Sequence, residues 1–161
     1  MTRSRALIGT GALLFVAPGT VAGIIPRMIS DWEQRAPFFS IPATRAVGWL
    51  LIAAGVALVL EAFLRFAIDG LGTPAPIAPP QHLVIRGSYH VVRNPMYLAV
   101  VAIILGQALV LGDINLVWYA ALVFAVMHLF VIAYEEPTLK ATFGSDYVDY
   151  CRRVGRWIPH L

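Results

Sequence analysis

The sequence has few charged residues and a single cysteine. Of its 161 residues, 13% are charged and 59% are hydrophobic, whereas about a quarter of a typical soluble domain is charged. The one cysteine, Cys151, allows no intrachain disulfide and fits a reducing compartment. These shortages exclude a disulfide-stapled secreted domain and argue against an ordinary soluble protein.

Several catalytic signatures are also missing. The Gly-Thr-Gly at 9–11 lies inside an apolar run with no preceding strand, so it is not a dinucleotide-binding or soluble-methyltransferase glycine loop. The sequence contains no phosphate-binding loop, no nucleophile elbow and no metal pattern of spaced Cys and His. We therefore expect no metal site. The formal net charge of +3 suits anionic lipid headgroups and requires no nucleic acid.

What the sequence does have is four apolar runs without Asp, Glu, Lys or Arg. A helix needs about 20 apolar residues to cross the hydrocarbon core. The second run reaches that length if its helix continues through Glu61 and Arg65, which are one turn apart and can pair. The prediction is an all-α integral membrane protein, a single domain over 1–161, with four transmembrane helices at approximately 6–28, 44–68, 95–111 and 114–134.

The basic residues are concentrated on one side of this topology. Four spans place both termini and the connection between the second and third spans together, and that side carries nine of the twelve Lys and Arg residues. The positive-inside rule puts this side in the cytoplasm, which predicts a multi-pass protein of the inner (cytoplasmic) membrane. The first apolar run is longer than the core of a secretory signal and no small-x-small cleavage site follows, so we expect it to be retained.

The remaining segments have distinct compositions. Four prolines between 74 and 80 make the connector at 72–94 semi-rigid, and 82–92 predicts a strand, a tight turn and a strand-like return. Residues 135–157 predict amphipathic interfacial helices, broken at Gly144, with Ser145 capping the second piece. Gly19 and Gly23, four residues apart, predict a close-packing face on the first helix.

Polar groups gather where the third span begins and the fourth ends. Asn94 and Pro95 suit the N-cap and first position of a helix, and Arg93 adds charge beside a helix N-terminus that can bind an anion. A capped helix with a snorkelling arginine would explain the same three residues. Glu135 and Glu136 oppose the dipole at the end of the fourth span, unless they begin the next helix.

His128 lies within the fourth span. An ionisable residue inside a span is a candidate for function, although a histidine bonded to a neighbouring helix is an equally good explanation.

The segments 82–98 and 135–159 resemble the membrane methyltransferases related to isoprenylcysteine carboxyl methyltransferase, including phospholipid methyltransferases. The resemblance rests on residues that follow the family pattern in order: His82, Leu83, Val84, Gly87, Tyr89, Arg93, Asn94, Pro95, Tyr97, Glu135, Glu136, Leu139, Phe143, Gly144, Tyr147, Tyr150, Ile158 and Pro159. An arginine that prenylcysteine enzymes carry shortly before the glutamate pair has no counterpart here.

The resemblance implies an enzyme that takes a methyl group from S-adenosylmethionine, leaving S-adenosylhomocysteine, in a pocket at the cytoplasmic face. It also implies a lipophilic or membrane-delivered small acceptor that offers a carboxylate, an amine or a thiol. Glu135 is the first candidate for a catalytic base, with His128 as the second. The cofactor-binding residues it implies are His82, Leu83, Val84, Gly87, Tyr89, Arg93, Asn94, Pro95, Tyr97, Glu136 and Tyr147.

Two other functions fit the architecture. One is an NADPH-dependent membrane reductase resembling sterol reductases, and the other is a non-enzymatic small membrane scaffold or transporter subunit. A transporter should place polar groups along its spans near the midplane. Here the polar groups collect at one membrane face, which favours the methyltransferase.

Overall fold

The structure is a computed structural model that describes residues 16–69 and 82–160. Within these residues all regular secondary structure is helical, apart from one isolated parallel β-bridge between Val92 and Gly155. This confirms the all-α prediction for the described part of the chain. The predicted first span at 6–28 and the connector at 72–94 fall partly outside the described residues.

The described fold contains six α-helices, two π-helical turns and two 3₁₀ turns, Phe38–Ser40 and Gly87–His90. The first π-helical turn, Thr20–Ile24, leads into α1, and the second, Val131–Glu135, joins α4 to α5. The bounds of the α-helices are α1 Ile25–Ser30, α2 Ala43–Ile68, α3 Pro95–Leu111, α4 Ile114–Phe130, α5 Glu136–Phe143 and α6 Ser145–Arg153.

Within residues 16–69 and 82–160, two continuous helical stretches are long and apolar enough to cross a membrane, namely Ala43–Phe66 and Ile114–Phe143. The helix Pro95–Leu111 is apolar but shorter. The helical path does not stop at the end of the predicted fourth span, 114–134, but continues through the second π-helical turn into α5. Pro137 does not stop it, since it lies in the first turn of α5, where its missing N–H costs no hydrogen bond.

Helices α2 and α3 pack closely because glycines face each other between them. A Cβ built on Gly48 would lie 2.7 Å from the carbonyl oxygen of Gly106, and one on Gly55 would lie 2.8 Å from that of Ala99. Small residues allow this approach in membrane helices. Gly23 has nothing within 4 Å of such a Cβ, so the predicted close-packing face on the first helix is wrong at that position.

A two-residue turn joins α3 to α4, as the sequence predicts. Gly112 has φ of 72°, a left-handed conformation that glycine adopts without strain. The carboxylate of Asp113 accepts a hydrogen bond from the Asn115 amide at 2.9 Å, capping α4, and lies 3.1 Å from the Arg35 guanidinium. The Arg35 amide also donates to the Leu111 carbonyl at 2.8 Å. The loop before α2 is therefore fixed to this hairpin turn.

The segment at 82–92 does not form the predicted strands. Gly87–His90 is a 3₁₀ turn, and it is held by Glu61, whose carboxylate accepts hydrogen bonds from the Ser88 hydroxyl at 2.5 Å and from Arg65 Nε at 2.9 Å. The tight turn at Gly87 is confirmed by its φ of 63°. A strand is stable only when it pairs with a neighbouring strand. Among the described residues the only such pairing is the isolated bridge between Val92 and Gly155.

Candidate functional site

A cleft opens where α3 begins, between the connector before it and the helices that follow α4. Counted together with the open solvent at its mouth, its larger part spans about 430 Å³ and the adjoining part about 260 Å³. The two parts share Phe66, Tyr89, Arg93, Asn94 and Glu135. The larger part is also lined by Leu83, Val84, Val131, Glu136, Leu139, Tyr147 and Tyr150, and the smaller by Met96 and Tyr97.

Two arginines bind one carboxylate beside this cleft. Arg93 Nη1 donates to Glu136 Oε1 at 3.0 Å, while Arg156 donates from Nε to Oε1 at 2.7 Å and from Nη2 to Oε2 at 2.8 Å. The hydrogen bond to Glu136 raises the pKa of Arg156 above its already high usual value. Arginine side chains remain protonated in proteins, so two cations share one carboxylate. The cluster therefore carries a net positive charge.

Arg93 has hydrogen-bonding capacity left over. Its side chain is 13% exposed, and Nη1 also contacts the Cys151 sulfur at 2.8 Å. Its Nε is buried and has no hydrogen-bond partner among the described residues. A buried, unpaired N–H on a cation that lines a cleft favours an anionic group in that cleft.

Glu135 lies next to Glu136 in the chain but has a different partner. The Tyr97 hydroxyl donates to Glu135 Oε2 at 2.8 Å. Both glutamates line the larger part of the cleft, and they follow each other at the junction of the second π-helical turn and α5. Such turns are frequent at functional sites because they change which side chains a helix presents. The cleft thus holds one carboxylate paired with cations and one paired with a neutral hydroxyl.

The C-terminal segment 154–157 packs against the start of α3 and against His128. Its Gly155 carbonyl accepts from the Arg93 amide at 2.8 Å, and its Arg156 carbonyl accepts from the Asn94 side-chain amide at 3.2 Å. Trp157 Nε1 donates to His128 Nδ1 at 2.9 Å. Asn94 does occupy the N-cap position of α3, as predicted, but its side chain makes no cap hydrogen bond because it binds this segment.

Two tyrosines hold the connector against α6. The Tyr150 hydroxyl donates to the Tyr89 carbonyl at 2.6 Å, and both side chains are buried. Burial raises the pKa of Tyr89 well above its usual value and also raises that of Tyr150. Both hydroxyls therefore remain protonated at neutral pH, and Tyr89 presents a neutral surface to the cleft.

The structure gathers most, though not all, of the predicted site residues around the cleft. His82 is exposed and Gly87 supports the 3₁₀ turn, where a Cβ would collide with Glu61. Pro95 is buried at the start of α3, and His128 is engaged with Trp157. These four do not line the cleft. The roles of all the predicted residues stay predictions.

Sequence reasoning missed several residues that build the site. Arg156 and Cys151 contact the core of the charge cluster, and Phe66 and Val131 line the cleft. Arg156 lies 20 residues from Glu136, and no local periodicity relates the two. The nearest signal was the closing Ile-Pro of the resemblance, which directly follows Trp157.

Comparison with known proteins identifies the family of this chain. The family model described as "Phospholipid methyltransferase" matches residues 43–146. Protein-S-isoprenylcysteine O-methyltransferase B of Arabidopsis thaliana is 34% identical over 144 residues, covering 83% of this chain and 72% of that protein. The chain belongs to the phospholipid methyltransferase family. It is a membrane methyltransferase, and this confirms the resemblance and favours it over the reductase and scaffold alternatives.

Two further relatives match shorter stretches. An uncharacterized protein of Haemophilus influenzae is 39% identical over 64 residues, which is 39% of this chain and all of that protein. The nickel-cobalt-cadmium resistance protein NccN of Alcaligenes xylosoxydans xylosoxydans is 34% identical over 79 residues, which is 49% of this chain and 37% of that protein. No solved structure matches the chain. The family match ends at residue 146, so Arg156 and the rest of segment 154–157 lie beyond it.

Proposed function

We propose that this protein transfers a methyl group from S-adenosylmethionine to a lipophilic or membrane-delivered small acceptor. The observation that carries the proposal is the pairing of two arginines with Glu136 beside a cleft that Arg93 lines with a buried, unpaired Nε. A site of this kind has a cationic part and an anionic part within one cluster. It suits a zwitterionic amino-acid group, which has both an α-carboxylate and an α-ammonium.

The residues present fit this methyl donor. Arg93 would hold the carboxylate, and Glu136 would take the ammonium or the ribose hydroxyls. The apolar wall formed by Phe66, Leu83 and Val84 would accept the adenine. When bound, S-adenosylmethionine supplies an electrophilic methyl group on a sulfonium.

The protein's own contribution is alignment and proton handling. Methyl transfer gains most from holding donor and acceptor in line and from excluding water, and Val131 and Leu139 give the cleft apolar sides. Tyr97 fixes the orientation of the Glu135 carboxylate. Glu135 can then accept a proton from an acceptor that arrives protonated, as an amine does.

We further infer that the cleft faces the cytoplasm of a four-span protein with both termini on that side. The support is the distribution of Lys and Arg residues. The acceptor would then reach Glu135 from the bilayer.

Calorimetric titration of the detergent-purified protein tests the proposal directly. S-adenosylmethionine and S-adenosylhomocysteine should both bind with a stoichiometry of about one, because one cleft is proposed, and NADPH should not bind. If neither adenosyl compound binds to protein that unfolds cooperatively on heating, the proposal is wrong. Binding of NADPH alone would restore the reductase alternative.

A pair of arginine variants locates the site. Arg93→Gln should weaken binding of S-adenosylhomocysteine by roughly tenfold to a hundredfold, the usual value of a hydrogen bond to a charged group. Arg153→Gln changes an exposed arginine on α6 and should bind like the wild type. Equal affinity in both variants would place the adenosyl compound elsewhere.

A further inference from the structure

Glu136 is held by an arginine that does not itself line the cleft. Arg156 donates from Nε to Oε1 at 2.7 Å and from Nη2 to Oε2 at 2.8 Å, whereas Arg93 donates to Oε1 alone, at 3.0 Å. Arg93 and Glu136 both line the cleft, but Arg156 lines neither part of it. A planar guanidinium that donates two parallel hydrogen bonds fixes a carboxylate in one orientation. The two arginines therefore have different relations to a ligand in the cleft.

The hydrogen bonds already made show which oxygen of Glu136 remains available. A carboxylate oxygen can accept about two hydrogen bonds. Among the described residues, Oε1 accepts one from Arg93 and one from Arg156, while Oε2 accepts only one, from Arg156. The remaining accepting capacity of Glu136 is thus confined to Oε2. The guanidinium of Arg156 determines where that oxygen lies.

The backbone on both sides of Arg156 is held in place. The Gly155 carbonyl accepts a hydrogen bond from the Arg93 amide at 2.8 Å, and Trp157 Nε1 donates to His128 Nδ1 at 2.9 Å. A Cβ built on Gly155 would collide with a carbonyl oxygen three residues further along the chain, so the bend at this position favours glycine. Because its backbone is fixed, Arg156 can hold Glu136 in a defined orientation.

We propose that Arg156 is a positioning residue, which orients Oε2 of Glu136 toward the ammonium of the amino-acid group of S-adenosylmethionine. Arg93, whose buried Nε has no partner among the described residues, takes the carboxylate of the same group. Arg156 keeps both hydrogen bonds to Glu136 and makes none to the ligand. This inference rests on the proposed function, and it adds a residue that lies beyond the family match at 43–146.

Calorimetric titration with two ligands tests this role in the detergent-purified chain. S-adenosylhomocysteine carries the amino-acid group, whereas methylthioadenosine has a methyl group in its place. Arg156→Gln should weaken binding of S-adenosylhomocysteine about tenfold, the lower end of the value of a hydrogen bond to a charged group, and leave binding of methylthioadenosine unchanged. Arg152→Gln, which breaks an exposed ion pair with Asp149, is the matched control and should bind both ligands like the wild type.

Equal losses for both ligands in Arg156→Gln would show that Arg156 only supports the fold, and would overturn the proposal. Wild-type affinity for S-adenosylhomocysteine in this variant would also overturn it, while leaving the proposed function intact. A wild-type protein that binds neither ligand would instead overturn the proposed function, and this inference with it.

Arg156→Lys separates orientation from charge. Lysine keeps the positive charge but cannot donate the two parallel hydrogen bonds of a guanidinium. Affinity for S-adenosylhomocysteine should therefore stay as low in Arg156→Lys as in Arg156→Gln. Restoration of wild-type affinity by lysine would show that charge alone is required, and would overturn the positioning role.

Discussion

Both ends of α3 have an arginine paired with a carboxylate, but the two pairs are built differently. At the hairpin end, Asp113 is 0% exposed and meets one arginine, Arg35, which is 47% exposed. At the cleft end, Glu136 meets two arginines, and Arg93 is only 13% exposed. The first pair is balanced and reaches solvent, whereas the second has surplus positive charge and is largely buried.

This difference indicates a structural role for the hairpin end and a ligand-binding role for the cleft end. Asp113 caps α4 through its neighbour Asn115 and also holds the loop at Arg35 to the turn, so its contacts are structural. The cleft cluster joins residues 43 and 20 positions apart. Burying a second cation beside one carboxylate is costly, and an anionic ligand would offset that cost. We therefore expect substitutions at the hairpin end to change stability and those at the cleft end to change ligand binding.

The largest effect is expected from Glu136→Ala. Removing the carboxylate that is proposed to take the ammonium or the ribose hydroxyls removes a charge-assisted contact with the ligand, and truncating one partner of such a pair costs about 2–5 kcal/mol in binding. Affinity for S-adenosylhomocysteine should therefore fall by at least thirtyfold in calorimetric titration. Asp149→Ala removes an exposed carboxylate on α6 and serves as the control. If Glu136→Ala binds S-adenosylhomocysteine with wild-type affinity, the cleft end has no greater role in ligand binding than the hairpin end.

A substitution between the two ends should destabilise the bundle. Gly106→Val places a side chain where a Cβ already meets the Gly48 carbonyl oxygen at 2.7 Å, and overpacking of this kind costs about 1–3 kcal/mol. The unfolding temperature in detergent should drop. Gly23→Ala, at a position with open space, should leave it nearly unchanged. If Gly106→Val and Gly23→Ala unfold at the same temperature, the close packing of α2 against α3 does not contribute to stability.

Asp113→Ala should have a smaller effect, confined to stability. Loss of the helix cap should lower the free energy of unfolding by about 1–2 kcal/mol, and the half-exposed Arg35 adds little because solvent screens the pair. Asp113→Asn keeps a capping oxygen and should recover most of the loss. Affinity for S-adenosylhomocysteine should stay at the wild-type value in both variants. A large affinity change would contradict the assignment of this end to architecture.

The smallest effect is expected from Trp157→Phe. The change keeps an aromatic ring against Phe124, whose centroid is 5.0 Å away, and removes the hydrogen bond to His128. The free energy of unfolding in detergent should fall by about 1 kcal/mol, the net contribution of one hydrogen bond to stability. His128→Phe should have a similar effect, and the double variant should be no worse than either. Additive losses would show that the two residues act separately.

Part of this site could be predicted because residues that are adjacent in sequence determine it. Asn94 and Pro95 predict the start of α3, and the two-residue turn forces α3 and α4 to pack as a hairpin. That hairpin places Arg93 near Glu136, and their 3.0 Å contact confirms this interpretation. The failures have equally physical causes. A Gly-xxx-Gly spacing indicates that helices can approach closely but does not say which helices do.

The amino-acid sequence by itself determined the helices, their apolar character and the family, because hydrophobic periodicity, caps and motifs are local properties of the chain. Only the tertiary structure decided that Arg156 shares Glu136 with Arg93, that Asn94 binds segment 154–157, and that His128 pairs with Trp157. It also decided where the cleft lies. Hydrogen bonds and ion pairs act over about 3–4 Å, so residues far apart in sequence can be matched only once packing has brought them together.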